Sequence, residues 1–210
     1  MLADPVTLGF VKSDAHPGGN LTGIAPYVKG LPAKQLELAR EIVPGAKRMG
    51  LLNDVYDPKG FLQRGEIEAA AQGLEIKIVP ADVRTTADIA SAYETLADAK
   101  VEAVVIEQSS MLIAGRKKIA KAAAERKLPT VYGYREHVEV GGLVSYGINL
   151  DWCFHHSAYY VDKILRGTNP ADLPVEFPTR LYLSLNLKAA KALGLEFPLS
   201  VLVRADEVIE

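Results

Sequence analysis

Short apolar runs and longer amphipathic stretches follow one another along the chain. The short runs predict strands at Met49–Asn53, Ile76–Val79, Val101–Ile106, Leu128–Tyr132 and Leu143–Tyr146. The stretches between them have helical spacing, most clearly at Ile89, Ala92, Tyr93, Leu96 and Ala97. Strands and helices that alternate through short connections predict an α/β fold, with a parallel sheet covered on both faces.

The pattern differs at the start of the chain and after Asn149. Val6–Val11 has a mixed, strand-like composition. Asp151 is predicted to cap a helix that Gly167 ends.

The last thirty residues contain one strand and one short helix by pattern. Residues 181, 183 and 185 are leucines, which predicts a strand, and Asn186 is predicted to cap a helix that runs to Leu193. Phe197–Ile209 has apolar residues without an assignable period.

Composition narrows the function classes. The 24 Lys and Arg residues and 26 Asp and Glu residues give a net charge of −2, so no basic surface indicates a nucleic-acid partner. The single cysteine, Cys153, excludes an internal disulfide and a multi-cysteine metal site, and we predict no cofactor. Apolar runs are too short to span a bilayer, and Met1 leads into Ala3-Asp4-Pro5 without the pattern of a secretion signal.

Polar loops follow several of the predicted strands. They are Asn53–Gly60, Ala81–Arg84, Glu107–Ser110 and Gly133–His137. Because ligands of open parallel sheets bind beyond the carboxyl ends of the strands, these loops predict a pocket for a small polar or zwitterionic molecule. The alternative is that each loop is simply polar because it is solvated.

Motifs for enzyme chemistry are absent from the sequence. There is no phosphate-binding G-x-x-x-x-G-K-[ST], no G-x-G-x-x-G after a strand and no G-x-S-x-G elbow. His155 and His156 are adjacent, so on a helix they point about 100° apart and cannot share a metal as an i, i+4 pair does. A small-molecule α/β enzyme is therefore the weaker alternative.

Several longer strings resemble the ABC transporter substrate-binding proteins that include the tryptophan- and tyrosine-type members. Near the start these are ADPV at Ala3–Val6 and PGGNLTG at Pro17–Gly23. The others are PTVYGYREHVEVGG from Pro129, AYYVDKILRG from Ala158, PADLPVEFP from Pro170 and NLKAAKALGLEFPLSVLVRADEVI from Asn186. Together they extend the resemblance over nearly the whole chain.

The resemblance implies a type I periplasmic-binding-protein fold, in which two α/β lobes close on a solute. By this resemblance, residues 31–147 and 180–210 form the second lobe, a parallel-sheet lobe. Residues 1–30 and 150–175 would be a remnant of the first lobe. The chain would then lack the start of that lobe, which predicts a truncated protein and self-association as a homodimer through these two segments.

The resemblance also implies the partners and the site. The expected partners are an amino-acid-like solute and, for the full-length protein, ABC permease subunits outside the cytoplasm, in the periplasm or membrane-anchored. The predicted ligand-binding residues are Asp4, Thr22, Asn53, Tyr56, Asp57, Glu107, Ser109, Tyr134, Arg135, Tyr146 and Asn149. A ligand-sensing domain of a regulator, which uses the same fold, is the remaining alternative.

Overall fold

The protein, described by a computed structural model over residues 5–210, divides into two compact units. The smaller unit consists of the chain up to Lys29 together with Ile148–Leu181. The larger unit consists of Gly30–Gly147 and Tyr182–Glu210. The assignment of these units to two lobes of a longer protein stays a prediction.

The larger unit is built on a seven-stranded sheet. Its strands are β2 (Arg48–Asp54), β3 (Lys77–Val83), β4 (Ala103–Ile106), β5 (Thr130–Tyr132), β6 (Val144–Gly147), β8 (Tyr182–Asn186) and β9 (Glu207–Ile209). Their order across the sheet is β3-β2-β4-β5-β6-β8-β9. All pairs are parallel except β6 with β8, so the sheet is mostly parallel, as the predicted fold class requires, with one antiparallel pair. The chain returns from the smaller unit at Tyr182 and runs along β6 in the opposite direction.

Helices cover both faces of this sheet. They are α1 (Leu31–Ile42), α2 (Gly60–Gly73), α3 (Ile89–Asp98), α4 (Ser110–Ala114), α5 (Arg116–Glu125), α6 (Arg135–Glu139), α8 (Leu187–Leu193) and α9 (Leu199–Leu202). Leu51 and Leu52 of β2 are both fully buried, but they belong to two different core clusters. Since successive strand residues point to opposite faces, the sheet has a hydrophobic core on each side, as the continuous apolar runs predict.

The smaller unit contains little regular structure. Strand β1 (Gly23–Ile24) pairs in parallel with β7 (Val175–Glu176), and helix α7 spans Leu150–Leu165. A single 3-10 turn, Pro170–Asp172, precedes β7. A small core of Val11, Ala25 and Val175 holds the segments together.

Two predictions for the smaller unit are wrong. Val6–Val11 is not a strand but a series of turns, in which Gly9 has a φ of 73° and the amides of Phe10 and Val11 both donate to the Pro5 carbonyl. The cap of α7 is Asn149, whose Oδ1 accepts from the Trp152 amide at 2.8 Å. Asp151 lies in the first turn, where its charge favours the helix dipole.

Near the end of the chain, the structure agrees with the sequence where capping residues are present. Asn186 caps α8 by accepting from the Ala189 amide at 2.8 Å, as predicted, and Gly194 ends the helix with a φ of 69°. The tail without a period forms α9 and the edge strand β9. Across residues 5–210, no helix has both the length and the apolar composition to cross a bilayer.

Candidate functional site

A polar cluster lies at the carboxyl ends of β2 and β4. Asn53 and Asp54 end β2, the loop Val55–Lys59 follows, and Glu107 comes directly after β4. Because β2 and β4 are neighbouring parallel strands, their ends bring Asn53 and Glu107 to the same edge of the sheet. The larger unit thus places three predicted residues, Asn53, Asp57 and Glu107, in one cluster.

Glu107 is a buried carboxyl group. Its side chain is 2% exposed, and neither oxygen has a hydrogen bond of normal geometry within the described residues. Burial raises the pKa of Glu107 to about 8, and the nearby charges of Asp57 and Asp54 act in the same direction. The Asp54 amide and the Arg64 guanidinium lower that pKa without offsetting the rise. Glu107 is therefore mostly protonated at neutral pH.

Three oxygen atoms converge beside Gly60, the first residue of α2. A methyl group built on Gly60 would lie 3.2 Å from the Asp54 carbonyl oxygen and 3.3 Å from both Asn53 Oδ1 and Glu107 Oε2. The absence of a side chain at Gly60 lets these oxygens approach the start of the helix. All three are hydrogen-bond acceptors when Glu107 is ionised, so the cluster lacks a donor or a cation.

Asp57 already has a cation of its own. Lys59 Nζ lies 2.8 Å from Asp57 Oδ1 and 2.7 Å from Asp57 Oδ2, and the Lys59 amide also donates to Oδ1 at 2.8 Å. Both side chains are almost fully buried. The pair closes the loop before α2 and compensates the Asp57 charge internally, so Lys59 is not available to Glu107.

The first turn of α2 offers free donors, and this turn and the loop before it expose two aromatic rings. Gly60 N donates to the Asp57 carbonyl and Gln63 N to the Lys59 carbonyl, but the amides of Phe61 and Leu62 have no partner in the described part of the chain. Unpaired amides and the helix dipole favour an anion at this end of the helix. The rings of Tyr56 and Phe61 are 71% and 85% exposed, so they are available for stacking.

Asn53 and Ser109 have structural contacts. Asn53 Nδ2 donates to Asp82 Oδ1 at 2.8 Å, which leaves its Oδ1 directed at Gly60. Ser109 is fully buried and caps α4, where its Oγ accepts from the Leu112 amide at 3.0 Å. Ser109 therefore holds the loop after β4 in place.

Two glutamines that sequence reasoning did not single out support the cluster. Gln63 Nε2 donates to the Gln108 carbonyl at 3.1 Å, and the Gln108 amide donates to Gln63 Oε1 at 2.8 Å. Gln108 Nε2 reaches the Gly133 carbonyl at 3.1 Å. These bonds tie α2, the end of β4 and the end of β5 together, and only the tertiary pairing of Gln63 with Gln108 identifies them.

The structure places the remaining predicted residues of the larger unit in packing and ion-pair roles. Tyr134 is buried next to His137, with ring centroids 6.3 Å apart. Arg135 pairs with Glu207 at 2.6 Å and with Glu139 at 2.7 Å. Tyr146 packs against a core cluster, and its carbonyl accepts from Gln35.

Thr22 and Asn149 belong to the smaller unit. Thr22 Oγ1 donates to the carbonyls of Leu173 at 2.6 Å and Pro174 at 3.1 Å, and Asn149 caps α7. Asp4 lies outside the described residues. Whether any of these three contacts a solute stays a prediction.

The cluster is arranged for binding. Among the residues that the structure describes, no group of three or more His, Cys, Asp or Glu side chains is placed to hold a metal ion. A cavity of about 210 Å³ in the larger unit is lined by residues of α5, α8 and the segments around β5, and no residue of the cluster lines it. An unpaired carboxyl group beside unpaired helix amides can bind a small molecule that carries a cation and an anion.

Comparison with known proteins identifies the family. The family model described as ABC transporter substrate binding protein matches residues 1–209. The chain belongs to this family. A curated relative in the family, the tyrosine-binding protein of Clostridioides difficile (strain R20291), is 24% identical over 195 residues. These residues are 93% of this chain but 56% of the relative, so the chain spans little more than half of that protein.

Solved structures agree with the family and with the predicted fold. An ABC domain from Streptococcus pneumonia in complex with L-Trp is 28% identical, with a TM-score of 0.88 over 99% of this chain and 71% of that chain. A conserved domain protein from Vibrio cholerae is also 28% identical, with a TM-score of 0.90 over 98% of this chain and 69% of that chain. The α/β fold of type I periplasmic-binding proteins is thereby confirmed.

Proposed function

We propose that the chain is the solute-binding component of an ABC importer and that its solute is an aromatic amino acid or a close analogue. The family match supports the binding role, and so do two similar proteins, a tyrosine-binding protein and an ABC domain in complex with L-Trp. The observation that carries the proposal is the cluster at the ends of β2 and β4, where Glu107 has no hydrogen-bond partner among the described residues. In this role the chain works outside the cytoplasm and does no covalent chemistry.

Each part of such a solute has a matching group. The ammonium pairs with Glu107, and the carboxylate receives the free amides of Phe61 and Leu62. The aromatic ring stacks on Tyr56, exposed in the loop before α2, or on Phe61, exposed in the first turn of α2. Closure of two lobes on the solute and recognition by a permease belong to the longer protein and stay predictions.

Binding is tested by calorimetry and thermal unfolding of the chain with L-tyrosine, L-tryptophan, L-alanine and D-glucose. A solute that binds only the folded state raises the unfolding midpoint, so the two aromatic amino acids should raise it and glucose should not. Equal shifts with all four compounds, or none with the aromatic pair, would contradict the proposed solute class.

We also propose that the chain forms a homodimer through α7. Phe154, Val161 and Leu165 are exposed and, with Ala158 between them, follow helical spacing over about 16 Å. Sedimentation velocity should show a dimer that the pair Phe154→Glu and Leu165→Glu dissociates. A monomer at all concentrations would rule the dimer out.

A further inference from the structure

The charged residues around Glu107 show which group is missing. On the β2 side are Asp54 and Asp57, and Asp57 is neutralised by Lys59. Two more charged groups surround the cluster, Arg64 on α2, which pairs with Glu68 at 2.8 Å, and Asp82 on β3. Every cation described here is thus committed to a different carboxylate.

Burial of Glu107 then has a definite chemical consequence. An isolated ionised carboxylate in such a site is costly, so the group keeps its proton and is neutral while the site is empty. A cation that binds next to Glu107 favours the ionised carboxylate over the protonated form, because the ionised form then has a partner. The other two oxygens beside Gly60, the Asp54 carbonyl and Asn53 Oδ1, add acceptors for the protons of that cation.

We propose that Glu107 selects for a protonated amino group in the solute and that binding of this cation displaces the proton that Glu107 carries in the empty site. The inference rests on the proposed function. In this step the O–H bond of the Glu107 carboxyl group breaks and its proton passes to solvent. The solute keeps all its own protons, and its ammonium pairs with the new carboxylate. One proton is released for each solute bound.

The proton release predicts how affinity depends on pH. Burial raises the pKa of Glu107 to about 8, so the empty site must lose a proton on binding at any lower pH. The affinity for L-tyrosine should therefore rise about tenfold per pH unit between pH 6 and pH 8 and then level off. The deamino analogue, 3-(4-hydroxyphenyl)propionate, has no ammonium and should show no such rise.

Two measurements on the chain test the inference. Isothermal titration calorimetry in buffers of different ionisation enthalpy counts the protons released, with one expected per L-tyrosine at pH 6.5. The ¹³C shift of the Glu107 carboxyl carbon reports its ionisation directly. Its titration midpoint should fall below about pH 6 when L-tyrosine saturates the site.

Variants separate selection from folding. Glu107→Gln keeps the shape of the protonated group, so it should weaken L-tyrosine binding more than about tenfold and remove both the pH dependence and the proton release. Its affinity for the deamino analogue should be unchanged. The control Glu94→Gln removes an exposed carboxylate that pairs with Arg126 on the other side of the sheet, and it should bind like the parent.

The outcomes distinguish this inference from the proposed function. If neither L-tyrosine nor L-tryptophan binds at any pH, the proposed solute class falls and the role of Glu107 falls with it. If L-tyrosine binds with a pH-independent affinity and the Glu107 midpoint does not move, the function stands and the inference is overturned. Equal loss of affinity for L-tyrosine and its deamino analogue in Glu107→Gln also overturns it, because that result indicates a structural role.

Discussion

Glu107 and Tyr93 are both buried polar groups, but their surroundings differ. Tyr93 is fully buried in a core, and its hydroxyl lies 3.3 Å from Thr130 Oγ1, so its polar atom is satisfied. Glu107 is almost as well buried, but its side-chain oxygens have no such contact within residues 5–210. An unsatisfied buried group lowers stability, and its persistence at a strand end is typical of a functional site.

Glu107→Gln should make the folded protein more stable at neutral and higher pH. The pKa of Glu107 is higher in the folded state, at about 8, than in an unfolded chain, so folding retains its proton and stability falls as pH rises from about 4.5 to 8. We compare the free energy of unfolding of the variant with that of the parent. The difference, in favour of the variant, should be about 3 kcal/mol larger at pH 7 than at pH 4. Urea unfolding at the two pH values measures the gain. A difference that does not change with pH would contradict a raised pKa.

Gly147 is the glycine whose substitution should be most damaging. A Cβ atom there would lie 1.9 Å from the Gly133 carbonyl oxygen and 2.7 Å from its carbon, and both are backbone atoms that cannot turn aside. Gly147→Ala should destabilise the larger unit by more than about 3 kcal/mol, measured from the urea midpoint. Gly65→Ala, inside α2 with nothing within 4 Å, is the control and should be neutral or slightly stabilising.

At the scale of elements, the loop between β2 and α2 depends on one buried ion pair. Lys59→Met leaves Asp57 buried without its cation, which should cost about 3–5 kcal/mol. The double variant Asp57→Asn with Lys59→Met removes both charges and should recover most of that loss. Chemical denaturation of the parent, the single variants and the double variant forms a double-mutant cycle. Additive losses would show that the two charges do not interact.

Elements with strong local signals could be predicted from the sequence. Strands β2 and β4 follow from apolar runs that end in polar loops, and α8 follows from Asn186 and Gly194 at its two ends. Val6–Val11 was predicted as a strand because its composition resembles one, but no neighbouring strand pairs with it within the described residues. The antiparallel pairing of β6 with β8 joins segments far apart in sequence, and local patterns do not contain that information.

The site could be predicted only in part for the same reason. Polar residues after predicted strands single out Asn53, Asp57 and Glu107, because the carboxyl ends of parallel strands lie at the same edge of a sheet. Lys59 was missed, since a lysine in a polar loop is normally solvent-exposed, and only the folded loop shows that it is buried against Asp57. Arg135 was predicted to bind the solute because it lies in a polar loop. The structure shows that it pairs with Glu207 of the last strand, and the sequence around Arg135 does not indicate this partner.

At the scale of the whole molecule, the larger unit combines two ionisable groups with opposite effects on stability. His137 is buried and stacks on Tyr132 with ring centroids 4.7 Å apart, and its Nε2 has no partner among the described residues. Burial lowers the pKa of His137 to about 4. Because the unfolded chain binds a proton there at higher pH, the contribution of His137 to stability is complete above about pH 6.5 and is lost as pH falls to 4.

The two groups together predict the shape of the stability profile. Between about pH 4.5 and 6.5, rising pH lowers the free energy of unfolding through Glu107 and raises it through His137. The two effects offset each other, since each amounts to about 1.4 kcal/mol per pH unit. The parent should therefore show a plateau in this range and lose stability on both sides. His137→Phe, which keeps a ring against Tyr132, should remove the acid-side loss and decline from pH 4.5 to 8. Glu107→Gln should instead rise to pH 6.5 and stay level above it. Urea unfolding of the three proteins from pH 4 to 8 tests the profile, and parallel curves for all three would show that neither group changes its protonation on folding.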